Sequence, residues 1–488
     1  MSKQKVKSAI LWIRRDFRIA DNPALHRALE SADQVVLLYI HAPEEELPWQ
    51  PGAASNWWLH HSLLAFQKQL NQQKSSLVIR TGSSLDALLS VCNETGARSV
   101  YWNRLYEPAL IARDTAIKSQ LAQSGIDATS FNGALLREPW EVHKDNGEMY
   151  RVYTPFSRKY LQLAEIEPPL DAVKLTGLTR HNLPGTSIEA LNLLPSNDWD
   201  KQFYPAWTPG ESAGLKQLQR FLEESVMDYS EDRDLPSVDG VSRLSPHLHF
   251  GEISPRQIWH EVRFHAARLA DEGRHDALER VHTYLKQLIW RDFAHHILYH
   301  LPHTTDQPFN IRFKDFQWQQ NTQLLHAWQQ GQTGIPLVDA GMRQLWQTGW
   351  MHNRVRMLVA SVLTKNGLVH WLEGAHWFWD TLVDASLANN SMGWQWTAGC
   401  GVDAAPYYRI FSPARQGERF DKYGEYVKTW VPELAALPHK YIHEPWKAPQ
   451  KVLDASGISL GKTYPLPVVD LASSRKQCLE HYQRMKQA

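Results

Sequence analysis

Cysteine is scarce: of 488 residues only Cys92, Cys400 and Cys478 are cysteines, far apart and forming no CxxC pair. Neither a zinc site nor an iron–sulfur cluster is therefore supported. So few thiols fit a reducing cytosol. An excess of charge of one sign is also missing. Lysine plus arginine and aspartate plus glutamate each number 52, so any nucleic-acid contact must be a local basic patch on a neutral body. No stretch approaches the length of uncharged apolar sequence that a membrane helix requires. In the N-terminal MSKQKVKSAILWIRRDF the apolar run is cut by Arg14 and Arg15, so no signal peptide is expected. No GxGxxG follows the first expected strand and no GxxxxGK(S/T) occurs, which disfavours nicotinamide and nucleotide-triphosphate sites.

What remains is an ordinary globular composition, 43% apolar and 21% charged, in a chain long enough for two or three domains. Tryptophan is the exception with 21 residues, most of them expected as core filler. From residue 8 to about 131 short apolar runs, SAILWI, VVLLYIHA, SLVIRTG, SVYWNR and ATSFNG, alternate with helix-length segments. That order predicts a parallel, Rossmann-like sheet covered by helices over residues 1–131. Residues 132–205 carry many Pro, Gly and Asn breakers and read as a linker with little regular structure. Beyond it, residues 206–488 repeat apolar positions at three- and four-residue spacing and predict an all-α domain.

The segment Asp380 to Asp421 gathers Asp384, Asn390, Trp394, Trp396, Arg409 and Arg415. Indoles, an amide and guanidinium groups suit stacking on flat heterocycles, holding their polar edges and neutralising phosphate. The segment points to a flavin, a nucleobase or both. Its GWQW, DAAPYYRIF and QGERFD resemble the signature of the photolyase and cryptochrome flavoproteins. IRRDFRIADNPAL, TPFSRKYL, SRLSPHLHFGEISPR, LIWRDF and GWMHNRVRM fall in the order that family uses.

The resemblance implies an α/β antenna-type domain, an all-α domain that binds FAD and DNA, and roles for particular residues. Asn353, Arg356 and Met357 stand at i, i+3 and i+4 and share a helix face; the first two are expected to touch flavin and Met357 the lesion. Asp384 is expected to hold Arg356. On a second helix Tyr284, Gln287 and Arg291 share a face, with Arg291 reaching flavin while Gln287 and Trp290 line the lesion pocket. Ser242, Arg243, Leu244 and Ser245 form the expected flavin pyrophosphate loop, with Tyr229 nearby; from spacing alone an ordinary helix N-cap is the alternative. Val241 stands where a Thr is often found, and Ser386 where an Asp is usual. Asn390 is expected at flavin N5. Trp394, Trp371 and Trp318 match the family's electron relay, and Trp396 the indole that stacks on damaged bases. Arg233, Arg354 and Arg409 are implied to grip phosphates; Arg415 is open between that role and a surface charge.

By the same resemblance, reduced FAD excited by blue light, directly or through an antenna, passes an electron to a flipped-out pyrimidine dimer. Methenyltetrahydrofolate and a deazaflavin both stay open as antenna. The expected protein is a cyclobutane pyrimidine dimer photolyase: a monomer with no obligate protein partner and no membrane contact, cytoplasmic, and nucleoid-associated when on UV-damaged DNA. Gln287 is more familiar from (6-4) photolyases and animal cryptochromes. A (6-4) photolyase, a cryptochrome-type blue-light photoreceptor and a helical flavoprotein without a DNA role are the rival readings.

Overall fold

The structure is a computed structural model describing residues 6–175, 183–404 and 409–487. Five parallel strands, β1 (Val6–Ile13), β2 (Ala32–His41), β3 (Leu77–Thr81), β4 (Ser99–Asn103) and β5 (Asp127–Phe131), form one sheet in the order β3-β2-β1-β4-β5. The helices Pro23–Ser31, Ala53–Gln72, Ser84–Thr95 and Pro108–Gln123 connect them in turn. Strands covered on both faces must be apolar on both faces. Ile10, Trp12, Val36, Leu38, Val78, Val100 and Trp102 are accordingly buried together, against Leu88 and Val91 of one connecting helix and Ile117 and Leu121 of another. The expected strands and the Rossmann-like sheet are all present.

The described residues form two compact units: Met1–Asp198 with Trp207–Met227 and Ser242–Pro302, and Trp199–Ala206 with Asp228–Val241 and His303–Ala488. This division differs from the sequential one, because part of the helical region packs with the sheet. The cause is visible on the helix Ala277–His300. Its Asp292 carboxylate accepts from Tyr160 Oη at 2.7 Å and Arg137 N at 3.0 Å, and burial pushes that carboxyl up to about 6. Arg291 Nη1 donates to Ala134 O at 2.6 Å, and His296 Nδ1 lies 2.8 Å from Pro139 O. Each partner belongs to the segment expected as a linker, and that segment also contains the helix Tyr153–Gln162. Apolar periodicity cannot reveal such a tie, because polar groups make it.

A second tie holds this unit around Glu252, which is fully buried. Its carboxylate accepts from Trp58 Nε1 at 3.2 Å, Gly210 N at 2.7 Å, His247 Nδ1 at 2.5 Å and the Ser62 hydroxyl. Four donors, three from two distant segments and one from His247 nearby in the chain, thus satisfy one buried charge. The second unit is helical, built mainly from Pro336–Thr348, Asn353–Ser361, Trp371–Thr381, Leu387–Ala398 and Leu471–Gln487. Among the described residues no helix is long and apolar enough to cross a membrane.

Glu252→Gln puts an amide NH2 where only acceptors are satisfied. It is expected to cost about 2–4 kcal/mol and to lower the midpoint of thermal unfolding; an unchanged midpoint would contradict the clamp.

Candidate flavin and lesion site

The chain reaches the helix Asn353–Ser361 through a tight turn. Gly349, at φ +66°, ends the preceding helix, and a Cβ there would lie 2.7 Å from Val383 Cγ1. His352 caps the new helix, its Nδ1 accepting from Arg354 N at 3.3 Å. Asn353, Arg356 and Met357 stand on one wall of a cavity of about 590 Å³, its solvent-open mouth included. Asp384, Ser386, Asn389, Asn390 and Trp394 line the same cavity. Seven expected site residues are therefore brought together here.

Arg356 is held from two sides: its Nε donates to Met351 O at 2.7 Å and its Nη2 to both oxygens of Asp384 at 3.1 and 2.9 Å. The expected pairing with Asp384 is present. These bonds leave Nη1 as the donor available to a ligand. Asn390 Nδ2 donates to Ala375 O at 3.0 Å. A carbonyl can only accept, so this bond assigns the amide nitrogen and leaves Oδ1 as an acceptor. Asn389, which was not singled out in the sequence, donates to Ser386 Oγ at 3.3 Å.

Trp394 is 3% exposed. A Cβ on Gly374 would come within 2.1 Å of its ring, so only glycine allows the helix Trp371–Thr381 to approach. Phe378 at 5.0 Å and Trp328 at 6.1 Å meet the indole edge-on, and its Nε1 is buried without a hydrogen-bond partner among the described residues. Trp371 is 1% exposed and stacks on His370 at 5.7 Å; half-buried Trp318 touches the same His370 at 5.2 Å and Phe316 at 4.5 Å. Trp396 is half-buried beside Trp394 on the same helix.

The remaining expected flavin and lesion contacts divide between the units. Tyr229 and Val241 belong with the cavity's unit, and Ser242 to Ser245, Tyr284, Gln287, Trp290 and Arg291 with the sheet's. Arg243 has φ +51°, rare for a residue with a side chain, and Leu244 follows in the right-handed region. Successive left- and right-handed residues turn backbone N–H groups into one concavity suited to an anion. The ordinary N-cap alternative is not seen, since the short helix Ser245–His249 has no side-chain cap. Gln287 Nε2 donates to Thr283 O at 3.1 Å. Trp290 lies flat on Tyr153, ring centroids 3.5 Å apart and planes 7° from parallel, while Tyr153 Oη donates to Lys286 O at 3.2 Å. Tyr153 precedes the quoted TPFSRKYL and carried no signal of its own in the sequence. Arg291, expected at flavin, directs Nη1 to Ala134 O.

Of the expected phosphate-gripping residues, Arg354 pairs with Asp234 at 2.6 Å and lies over Phe420, while Arg233 lies over Tyr229 and 3.9 Å from the same Asp234. One carboxylate thus gathers two guanidiniums. Arg409 and Arg415 are exposed, and residues 405–408 of DAAPYYRIF lie outside the described residues.

A mainly apolar, partly open cavity with a buried indole N–H, a guanidinium donor and an amide acceptor on its walls fits a flavin ring edge. Known proteins agree. The family described as the FAD binding domain of DNA photolyase matches residues 284–484, and that described as DNA photolyase matches residues 9–174. The chain belongs to the photolyase and cryptochrome family. It is 43% identical over 483 residues to the deoxyribodipyrimidine photo-lyase of Agrobacterium fabrum, covering 99% of both chains. To cryptochrome-1 of Arabidopsis thaliana it is 39% identical over 98% of this chain and 70% of the relative. The crystal structure of a bacterial class III photolyase from Agrobacterium tumefaciens superposes with a TM-score of 0.94 at 43% identity, covering 100% of this chain and 99% of the other.

Asp384→Asn leaves the Arg356 guanidinium without its counter-charge. The variant is expected to be about 1–3 kcal/mol less stable without cofactor and to retain less FAD per protein after purification, read from flavin absorbance. Wild-type values of both would remove the pair from the site.

Proposed function

We propose that this chain repairs cyclobutane pyrimidine dimers in DNA by light-dependent electron transfer. When bound in its reduced anionic form, FAD supplies the electron that blue light sends to the dimer. The observation that carries the choice of lesion is the cavity lining. Asn353 and Met357 stand on its wall and no histidine lines it among the described residues. His352 is 1% exposed and is not among the lining residues, so its imidazole is not presented to the cavity as a proton donor. That supports a cyclobutane dimer over a (6-4) photoproduct, whose repair is thought to need such a donor. Gln287 favours the (6-4) reading, and the cryptochrome relatives favour a photoreceptor.

Each residue has a proposed task. Arg356, neutralised by Asp384, and Asn353 hold the polar edge of the flavin; Asn390 offers an acceptor that suits a protonated flavin nitrogen. Tyr229, Val241, Ser242, Arg243, Leu244, Ser245, Tyr284, Gln287, Arg291 and Ser386 are the further proposed FAD contacts. Gln287, Trp290, Met357 and Trp396 take the lesion, the indoles by stacking, and Arg233, Arg354 and Arg409 take DNA phosphates. Trp394, Trp371 and Trp318 carry oxidising equivalents outward during activation. The sheet domain, residues 1–131, is proposed to hold a second chromophore, methenyltetrahydrofolate or a deazaflavin; residues 132–205 link it to the FAD- and DNA-binding region 206–488. The protein is proposed to act as a monomer in the cytoplasm, joining the nucleoid when on UV-damaged DNA.

Offered separately under blue light, a cyclobutane thymine dimer should be repaired and a (6-4) photoproduct left intact, with Gln287→Glu keeping or improving dimer repair because charge-assisted hydrogen bonds are stronger. The opposite preference would establish the rival lesion, and no repair of either would favour the photoreceptor. Trp394→Phe should stop light-driven reduction of oxidised FAD yet leave repair by chemically reduced protein intact, since Phe is far harder to oxidise. Normal photoreduction in that variant would remove Trp394 from the relay.

A further inference from the structure

Two rings of the proposed relay meet on a third. His370 stacks on Trp371, with centroids 5.7 Å apart and planes 30° from parallel, and its ring meets Trp318 edge-on at 5.2 Å. It also caps the helix Trp371–Thr381, Nδ1 accepting from Leu372 N at 3.2 Å. The cap pins the imidazole in one rotamer between the two indoles.

We infer that His370 is the positioning residue for the last electron hop of the relay, filling the space between Trp371 and Trp318 with a π ring through which the electron passes. The inference rests on the relay reading above. In the hop one electron leaves Trp318 and fills the vacancy on Trp371; the original oxidant is photoexcited oxidised flavin. Trp318 is left as the radical cation, and His370 gains and loses neither electron nor proton, because an imidazole is harder to oxidise than an indole. A neutral ring suits this place, since a positive charge there would make both neighbouring indoles harder to oxidise. Two features keep it neutral: its Nδ1 lone pair is already used by Leu372 N–H, and burial, with nearby His376 as the lesser cause, holds the ring below the usual histidine range. Trp318, half-buried where Trp371 is 1% exposed, is the end of the path nearer to solvent.

The ring and the cap can be separated by substitution. Asn and Ser are good helix caps without a ring, whereas Phe is a ring without a cap. In FAD-loaded protein followed by transient absorption after a laser flash, His370→Asn and His370→Ser should lose the long-lived tryptophan radical signal. His370→Phe should keep it. Thermal melts of the three variants establish that each is folded. Wild-type decay in both ringless variants would overturn the inference, as would loss of the signal in His370→Phe alone, which would trace the effect to the cap. Trp371→Phe separates the two levels: a long-lived signal that survives it would overturn the relay reading itself, whereas a signal lost there but unchanged in His370→Asn would overturn only the role of His370.

Discussion

The ion pair between Arg356 and Asp384 is the constraint on which the cavity depends. It joins the first turn of Asn353–Ser361 to the residues just before Leu387–Ala398, and these two helices supply most of the polar wall. Neither charge is tolerable alone. Asp384 is 9% exposed, and the Arg356 guanidinium is further occupied by Met351 O, so removing either leaves the other poorly solvated. Once the pair is made, the rotation of the first helix follows, and with it the placement of Asn353 and Met357. A flavin site needs this rigidity because its discrimination lies in which polar edge is offered.

The same logic governs the sheet-bearing unit on a larger scale. Glu252 and Asp292, both buried, and the half-buried Arg15 to Glu107 pair at 2.7 Å are polar groups with partners in segments distant in the chain. Each is expensive unless satisfied, so each specifies a particular arrangement of segments in a way that interchangeable apolar contacts do not. Glu252 reaches His247 inside the short helix that follows Arg243. The clamp therefore steadies the unusual turn proposed to face the flavin phosphates. Backbone strain at Arg243 persists because the surrounding hydrogen bonds over-determine it.

Most of the 21 tryptophans behave as core. Trp12, Trp57, Trp58, Trp102 and Trp328 are all fully buried. The ones with proposed tasks differ in being presented by a partner: Gly374 admits Trp394, His370 touches both Trp371 and Trp318, and Tyr153 covers one face of Trp290. Covering one indole face leaves the other as the stacking surface. A mid-helix glycine costs about 1 kcal/mol relative to Ala, so Gly374 in HWLEGAHWFWD was a readable sign of close packing. His370 and Tyr153 had no such sign.

Local order was legible in the residues. The five apolar runs became the five strands, the i, i+3, i+4 spacing of Asn353, Arg356 and Met357 became one cavity wall, and the family motifs pointed to Asp384 as the partner of Arg356. Periodicity succeeds there because side-chain direction within a helix or strand is set by the backbone repeat. What the repeat cannot set is which distant segment covers a given face. Only the tertiary structure joined the helix Ala277–His300 to the segment after β5, turned Arg291 to Ala134 O and laid Tyr153 on Trp290. Those choices are made by buried hydrogen bonds and ring contacts between residues more than a hundred positions apart, whose free energy exists only once both segments are in place.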